Sequence, residues 1–219
     1  KNAQAAYNSA LAQAQSALGG QWKTNIYSAE RGIDQLDDNI DNLNDNIDDF
    51  KNGTAYKMAK NARNDAKAIY DTLRDQTSSY KSIQSLAVRI TEQNKDLLAA
   101  MQVSGNVGDT VEVKGDGAGY VNSLAEIANL GEAESGMDST ARKNVLAMKQ
   151  FVDNGGVLES LTDANVDAAK AGYDQAQIAF DQVDSQLSQL ETQRDSLKAQ
   201  KETAEGTLDI TQGETYNET

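Results

Sequence analysis

The residues in this chain with the strongest claim to chemistry are carboxylates. Asp34, Asp37, Asp38, Asp41, Asp45, Asp48 and Asp49 crowd one stretch, interleaved with Asn39, Asn42, Asn44 and Asn46. Clustered oxygen ligands bind calcium, but an EF-hand sets them at alternating loop positions around a glycine turn. Here they fall between apolar residues at helical spacing, which fans them around the outer face of a helix. The expectation is a solvated face, or an electrostatic docking surface for a basic protein partner, rather than a metal site. Paired carboxylates also serve acid–base catalysis, yet no spacing here sets a pair into a cleft. Gly115-Asp116-Gly117-Ala118-Gly119 has the glycine content of a phosphate loop. The strand–GxxxxGK[ST]–helix context is missing, so a hairpin or distal loop is expected. Trp22 is a candidate contact anchor, because Trp is enriched at binding hot spots. A packed core position is the competing reading.

What is missing narrows the chemistry further. The 219 residues contain no Cys, no His and no Pro. Without Cys there is no disulfide framework, thiol nucleophile or thiolate metal site. Without His there is no Ser-His-Asp triad and no imidazole ligand. The expectation is a chain that is not an enzyme and carries no cofactor. Its formal charge of −14 argues against nucleic acid, whose binding depends on Lys and Arg neutralising phosphates. No run of about 18 apolar residues is present, so no membrane insertion by this chain is expected. No basic stretch leading into an apolar one opens the sequence, so no signal peptide is visible.

The elements that position these residues read as long helices. The first runs from about Ala3 to Phe50. Ile26, Ile33, Leu36, Ile40, Leu43, Ile47 and Phe50 are spaced 7, 3, 4, 3, 4 and 3, an a/d seam of period 3.5. Gly19-Gly20 is a candidate kink, and Asn52-Gly53 a stop with glycine in the left-handed C-cap conformation. A second helix is expected from Thr54 to Met101, with a wide apolar stripe of Tyr56, Ala59, Ala62, Ala66, Ile69, Leu73, Tyr80, Ile83, Leu86, Ile90, Leu97 and Met101. Residues 102–136 form a Gly-rich insertion with short strand or helix pieces, among them the alternating Thr110-Val111-Glu112-Val113. Helix resumes over Ser139–Val152 and again over Thr162–Thr207. In the last helix Phe180, Val183, Leu187 and Leu190 belong to a seam that alternates 3 and 4 from Val166 to Leu208. Arg194 and Lys201 occupy core-type positions in it. The tail, residues 209–219, is polar and expected to be weakly held.

Each outer helix is about 70 Å long at roughly 1.5 Å per residue, and neither buries its seam alone. The expected fold is all-α: an elongated antiparallel bundle or coiled coil of three to four helices. Residues 1–101 supply its first two long helices and residues 137–208 its closing helices.

The order of these features resembles the needle-tip and translocon-filament proteins of bacterial type III secretion systems. Asp96-Leu97-Leu98-Ala99-Ala100-Met101, running into a Gly/Asn/Asp segment, is similar to their mid-chain pattern. Met137-Asp138 through Val145, Met148 and Val152 to Asp153-Asn154 is similar to the helix before their last one. The Gln-rich final helix, with Gln175, Gln177, Gln182, Gln186, Gln189 and Gln193, also fits. The resemblance spans residues 95–205 and implies an exported structural protein that assembles with its own copies or with a secretion apparatus. It transfers no functional residue.

Three functions compete. The first is a non-enzymatic extracellular or cell-surface assembly protein that associates with other chains, with Ile33, Leu36, Ile40, Leu43, Ile47, Phe50, Phe180, Val183, Leu187 and Leu190 carrying packing within or between chains. The second is a periplasmic four-helix-bundle sensor. The third is a component of a helical pore-forming toxin, disfavoured because the Gly-rich segment holds no apolar tongue.

Overall fold

The computed structural model describes residues 2–217, with side chains described over 6–212. Among the described residues the chain is all-α with one small sheet. In order the elements are α1 (Asn2–Asn52), α2 (Thr54–Ile83), β1 (Ser85–Arg89), α3 (Lys95–Ala100), β2 (Thr110–Lys114), α4 (Gly117–Ala128), α5 (Glu132–Ser135), α6 (Ser139–Asp153) and α7 (Asp163–Asn217). The chain divides into two compact units, residues 1–59 with 180–219, and residues 60–179.

The first and last helices are longer than expected. α1 runs through Gly19-Gly20 without a break. Two glycines cost helix stability, but the Ala- and Gln-rich sequence before them favours the helix and no proline interrupts it. α7 runs past Leu208 through the polar stretch to Asn217. With no proline to stop it, a tail of Thr, Gln and Glu continues the helix. Residues 218 and 219 lie outside the described residues. At Gly53 the expected left-handed C-cap is not formed, since its φ is not positive. Its N–H donates to Phe50 O at 3.1 Å and its carbonyl accepts from Lys57 N–H at 3.2 Å. The helical path resumes at once as α2.

The second helix ends at Ile83, not at Met101. Leu86, Val88 and Ile90 are buried while Ser85, Ala87 and Arg89 are exposed, the period of a strand. This strand, β1, pairs antiparallel with β2 in the register Ser85↔Lys114, Val88↔Val111, Arg89↔Thr110. The alternating Thr110–Val113 stretch is thus a strand, but its partner is β1 and not a local hairpin arm.

These elements enclose the core of the 60–179 unit. Ile83, Val88, Val113, Val121, Leu124, Ile127 and Val145 are fully buried. Asp138 caps α6 by accepting the Ala141 N–H at 2.7 Å. A buried amide ties the far edge together. Asn94 donates to Arg89 O at 2.8 Å and Ser135 O at 2.9 Å, and accepts the Thr91 N–H at 2.9 Å. Every polar function it has is used, as burial demands. Gly136, at φ +67°, sits so close to this edge that a Cβ there would stand 1.9 Å from Arg89 O.

Candidate interaction surface

Within the unit 1–59 with 180–219, the covered sides of α1 and α7 carry the seam residues. Ile40, Ile47, Phe180 and Leu187 are buried. Ile33, Leu36, Leu43, Phe50, Val183, Leu190 and Trp22 are half-buried. The flanking positions are mostly exposed, so burial repeats with the 3–4 spacing read from the sequence.

Polar contacts give the direction of the pairing. Lys51 Nζ lies 2.8 Å from Glu191 Oε1, and Lys201 Nζ lies 2.5 Å from Asp37 Oδ1. Residue numbers rise along α1 as they fall along α7, so the contacts are antiparallel. Near Gly53 the Phe50 and Tyr56 rings lie 6.1 Å apart, and Tyr56 stacks at a tilt on Phe180 at 5.7 Å. The Tyr56 hydroxyl donates to Asp184 Oδ1 at 3.2 Å.

Lys201 and Arg194, the cations at core-type positions, are accommodated by reaching sideways. Lys201 ties to Asp37 of α1 and to Glu205 of α7, while Arg194 pairs with Asp195. Their stems cover the seam and their charged ends reach water. The hydrogen bond to Asp37 holds the Lys201 ammonium above its ordinary pKa, and Glu191 does the same for Lys51. Lys51 is exposed and Lys201 only partly covered, so these pairs orient the helices more than they stabilise them.

The other carboxylates of the 34–49 run point outward. Asp34, Asp38, Asp41, Asp45, Asp48 and Asp49 are exposed. Among the described residues no group of three or more His, Cys, Asp or Glu side chains is placed to hold a metal ion. Trp22 lies where the paired zone opens. With Ile26, Ala29, Thr207, Leu208 and Thr211 it lines a groove of about 350 Å³.

The Gly-rich loop follows β2 and leads into α4, so a strand and a helix flank it, without the GxxxxGK[ST] spacing of a phosphate loop. Its chemistry is nonetheless not that of a phosphate cradle. The Gly117 N–H donates to the Tyr80 hydroxyl at 2.9 Å. Asp116 occupies the N-cap and places a negative charge where an anion would bind. A Cβ at Gly115 would come within 2.3 Å of the Tyr120 ring. Gly115 therefore lets the Tyr120 ring pack against the loop, and Gly117 supplies a positive φ of +77°. Tyr120 shares its hydroxyl proton between Ile83 O at 2.7 Å and Val113 O at 3.1 Å, and burial pushes its phenol up to about 12.

The 60–179 unit carries a second groove, of about 500 Å³, lined by Asp75, Gln76, Ser79, Met148, Phe151 and Asn154 among others. Its single carboxylate, Asp75, already pairs with Arg74 at 2.8 Å. Without a second titrating group beside it, this groove holds no acid–base pair. Sequence reasoning had no signal for it, because its walls come from residues more than 60 positions apart. Comparison with family models, with curated proteins and with solved structures finds no match to this chain.

Proposed function

We propose that the chain is a non-enzymatic, exported assembly protein that acts through helix–helix packing and associates with copies of itself. Its long helices form an antiparallel coiled coil or bundle. The carrying observation is the agreement between two heptad seams and the burial along α1 and α7, fixed in register by Asp37–Lys201 and Lys51–Glu191. The resemblance in residues 95–205 makes the specific form of this proposal a subunit of a secretion-system tip or filament. The cysteine-free composition suits a chain that unfolds for export and refolds outside. No described helix is long and apolar enough to cross a membrane.

Light scattering coupled to size-exclusion chromatography, followed by negative-stain microscopy, tests this reading. A concentration-dependent oligomer, seen as a ring or filament, is expected. A monodisperse monomer at every concentration overturns it. A dimer that forms only on adding a small ligand replaces it with the periplasmic sensor.

A further inference from the structure

The two-stranded sheet of the 60–179 unit has one edge tied down and one open. Main-chain bonds fix which groups face which way. The Gly115 N–H donates to Gln84 O at 3.1 Å and the Ile90 N–H to Asp109 O at 2.8 Å, so these are bonded pairs of the ladder. Bonded and non-bonded pairs alternate in an antiparallel ladder. Leu86 with Val113 and Val88 with Val111 are then bonded too, while Ser85 with Lys114, Ala87 with Glu112 and Arg89 with Thr110 turn their main-chain groups outward. On the β1 side, the Arg89 N–H donates to Gly136 O at 2.8 Å and the Arg89 carbonyl accepts from Asn94 Nδ2 at 2.8 Å. That leaves only Ala87 and Ser85 facing outward before α2. On the β2 side, among the described residues, no bond reaches the outward main-chain groups of Thr110, Glu112 and Lys114. All three residues are exposed. Asp116 is extended as well, at φ −146° and ψ 174°, so the open edge runs on to the start of α4.

The charges on this edge say which strand fits it. Charged side chains on an edge usually keep other strands away. Glu112 and Lys114 differ in sign and stand two residues apart, so they reject some partners and admit others. A second β2, antiparallel to the first about a twofold axis, must set outward groups against outward groups. The axis then passes through a residue. Centred on Glu112 or on Lys114, that residue meets its own like charge. Centred on Thr110 or Val111, both charges meet uncharged residues. Centred on Val113, Glu112 meets Lys114 of the second copy in both directions, Thr110 meets Asp116, and no like charges are opposed. This edge is therefore complementary to itself, as a twofold interface requires. Within one chain Lys114 Nζ lies 2.8 Å from Glu112 Oε2, with both side chains more than half exposed. Turning to a neighbour leaves no buried charge behind. The main-chain bonds supply the affinity and the exposed ion pairs select the register.

We infer that the open edge of β2 is a docking site for β2 of a second copy, joined antiparallel about Val113 with Glu112 opposite Lys114. The two sheets become one, in the order β1–β2–β2–β1. This inference rests on the self-association proposed above and names a place where it occurs.

Charge swaps in the full chain test it. Glu112→Lys opposes two lysines and Lys114→Glu opposes two glutamates. Each is expected to weaken self-association roughly tenfold by sedimentation, since like charges directly opposite destabilise a strand pair. Glu112→Lys does so while reducing the net negative charge, which by itself acts the other way. The double swap Glu112→Lys/Lys114→Glu restores the opposition and is expected to assemble as the wild type does. Both side chains are exposed, so unchanged circular dichroism is expected in all three variants. Amide hydrogen exchange reads the main chain directly. The Glu112 and Lys114 N–H groups are expected to exchange fast at dilution and slowly once copies associate, while those of Val111 and Val113 are slow throughout. If the wild type assembles but neither swap nor exchange responds, the inference fails and the assembly reading stands. A double swap no better than the single ones also overturns it, because the register is then wrong. Protection of Glu112 and Lys114 only when a different protein is added makes the occupant a strand of that protein and overturns pairing between copies. A wild type that is monomeric throughout overturns both readings.

Discussion

Tyr120 and Gly136 carry the sharpest demands made on single residues. The Tyr120 phenol is held neutral by burial and by two backbone carbonyls it bonds. An unfolded tyrosine ionises near 10, and this one is pushed up to about 12. The folded state therefore binds the phenolic proton more tightly than the unfolded state. That contribution to stability is fully present below pH 10 and is lost as pH rises toward 12. Absorbance titration is expected to show one tyrosine ionising late and together with unfolding. Tyr120→Phe is expected to remove that late step. Gly136→Ala is expected to destabilise the 60–179 unit by more than the roughly 1–3 kcal/mol of a positive-φ non-glycine residue, because its Cβ also collides with Arg89 O. Denaturant unfolding with a tyrosine or circular-dichroism readout measures it. Neither demand is visible in a one-dimensional reading. Tyr120 looks like one apolar position among several, and Gly136 like one glycine in a loop.

At the scale of elements, the seams were legible because 3–4 spacing has a single structural meaning over a long stretch. Ile40 and Leu187, read as core positions, are 6% and 5% exposed. Leu187→Ala is expected to cost about 2–3 kcal/mol, the lower part of the range for a buried leucine, since a two-helix seam relaxes more than a closed core. Ile40→Asp is expected to abolish the pairing of α1 with α7, seen as lost helical ellipticity and lost assembly. Unchanged ellipticity and oligomer size would sink the assignment of these residues. β1 was not legible for an equally definite reason. Ile83, Leu86 and Ile90 satisfy helical spacing, while Leu86, Val88 and Ile90 satisfy the period of a strand. Local pattern leaves the tie unbroken. Pairing with Thr110–Lys114, more than 20 residues away, breaks it.

For the whole molecule, charge sets the terms of association. Each copy carries −14, and the Debye length falls from about 10 Å near 0.1 M salt to about 3 Å near 1 M. Raising salt is expected to strengthen self-association, by screening repulsion between two strongly acidic copies. Sedimentation velocity across a salt series measures this. An interface built on Lys–Asp pairs would show the opposite trend.

Composition and spacing alone determined that the chain is all-α, that it has two long heptad seams, and that neither imidazole nor thiol takes part in its chemistry. Those properties follow from residue types and from a local period that repeats over many turns. Tertiary structure decided the rest: where the second helix ends, what the glycines serve, and which part of a seam is covered. Each of these depends on a partner remote in the chain, and the energy of a contact with a distant residue leaves no mark on the spacing of the residues that make it.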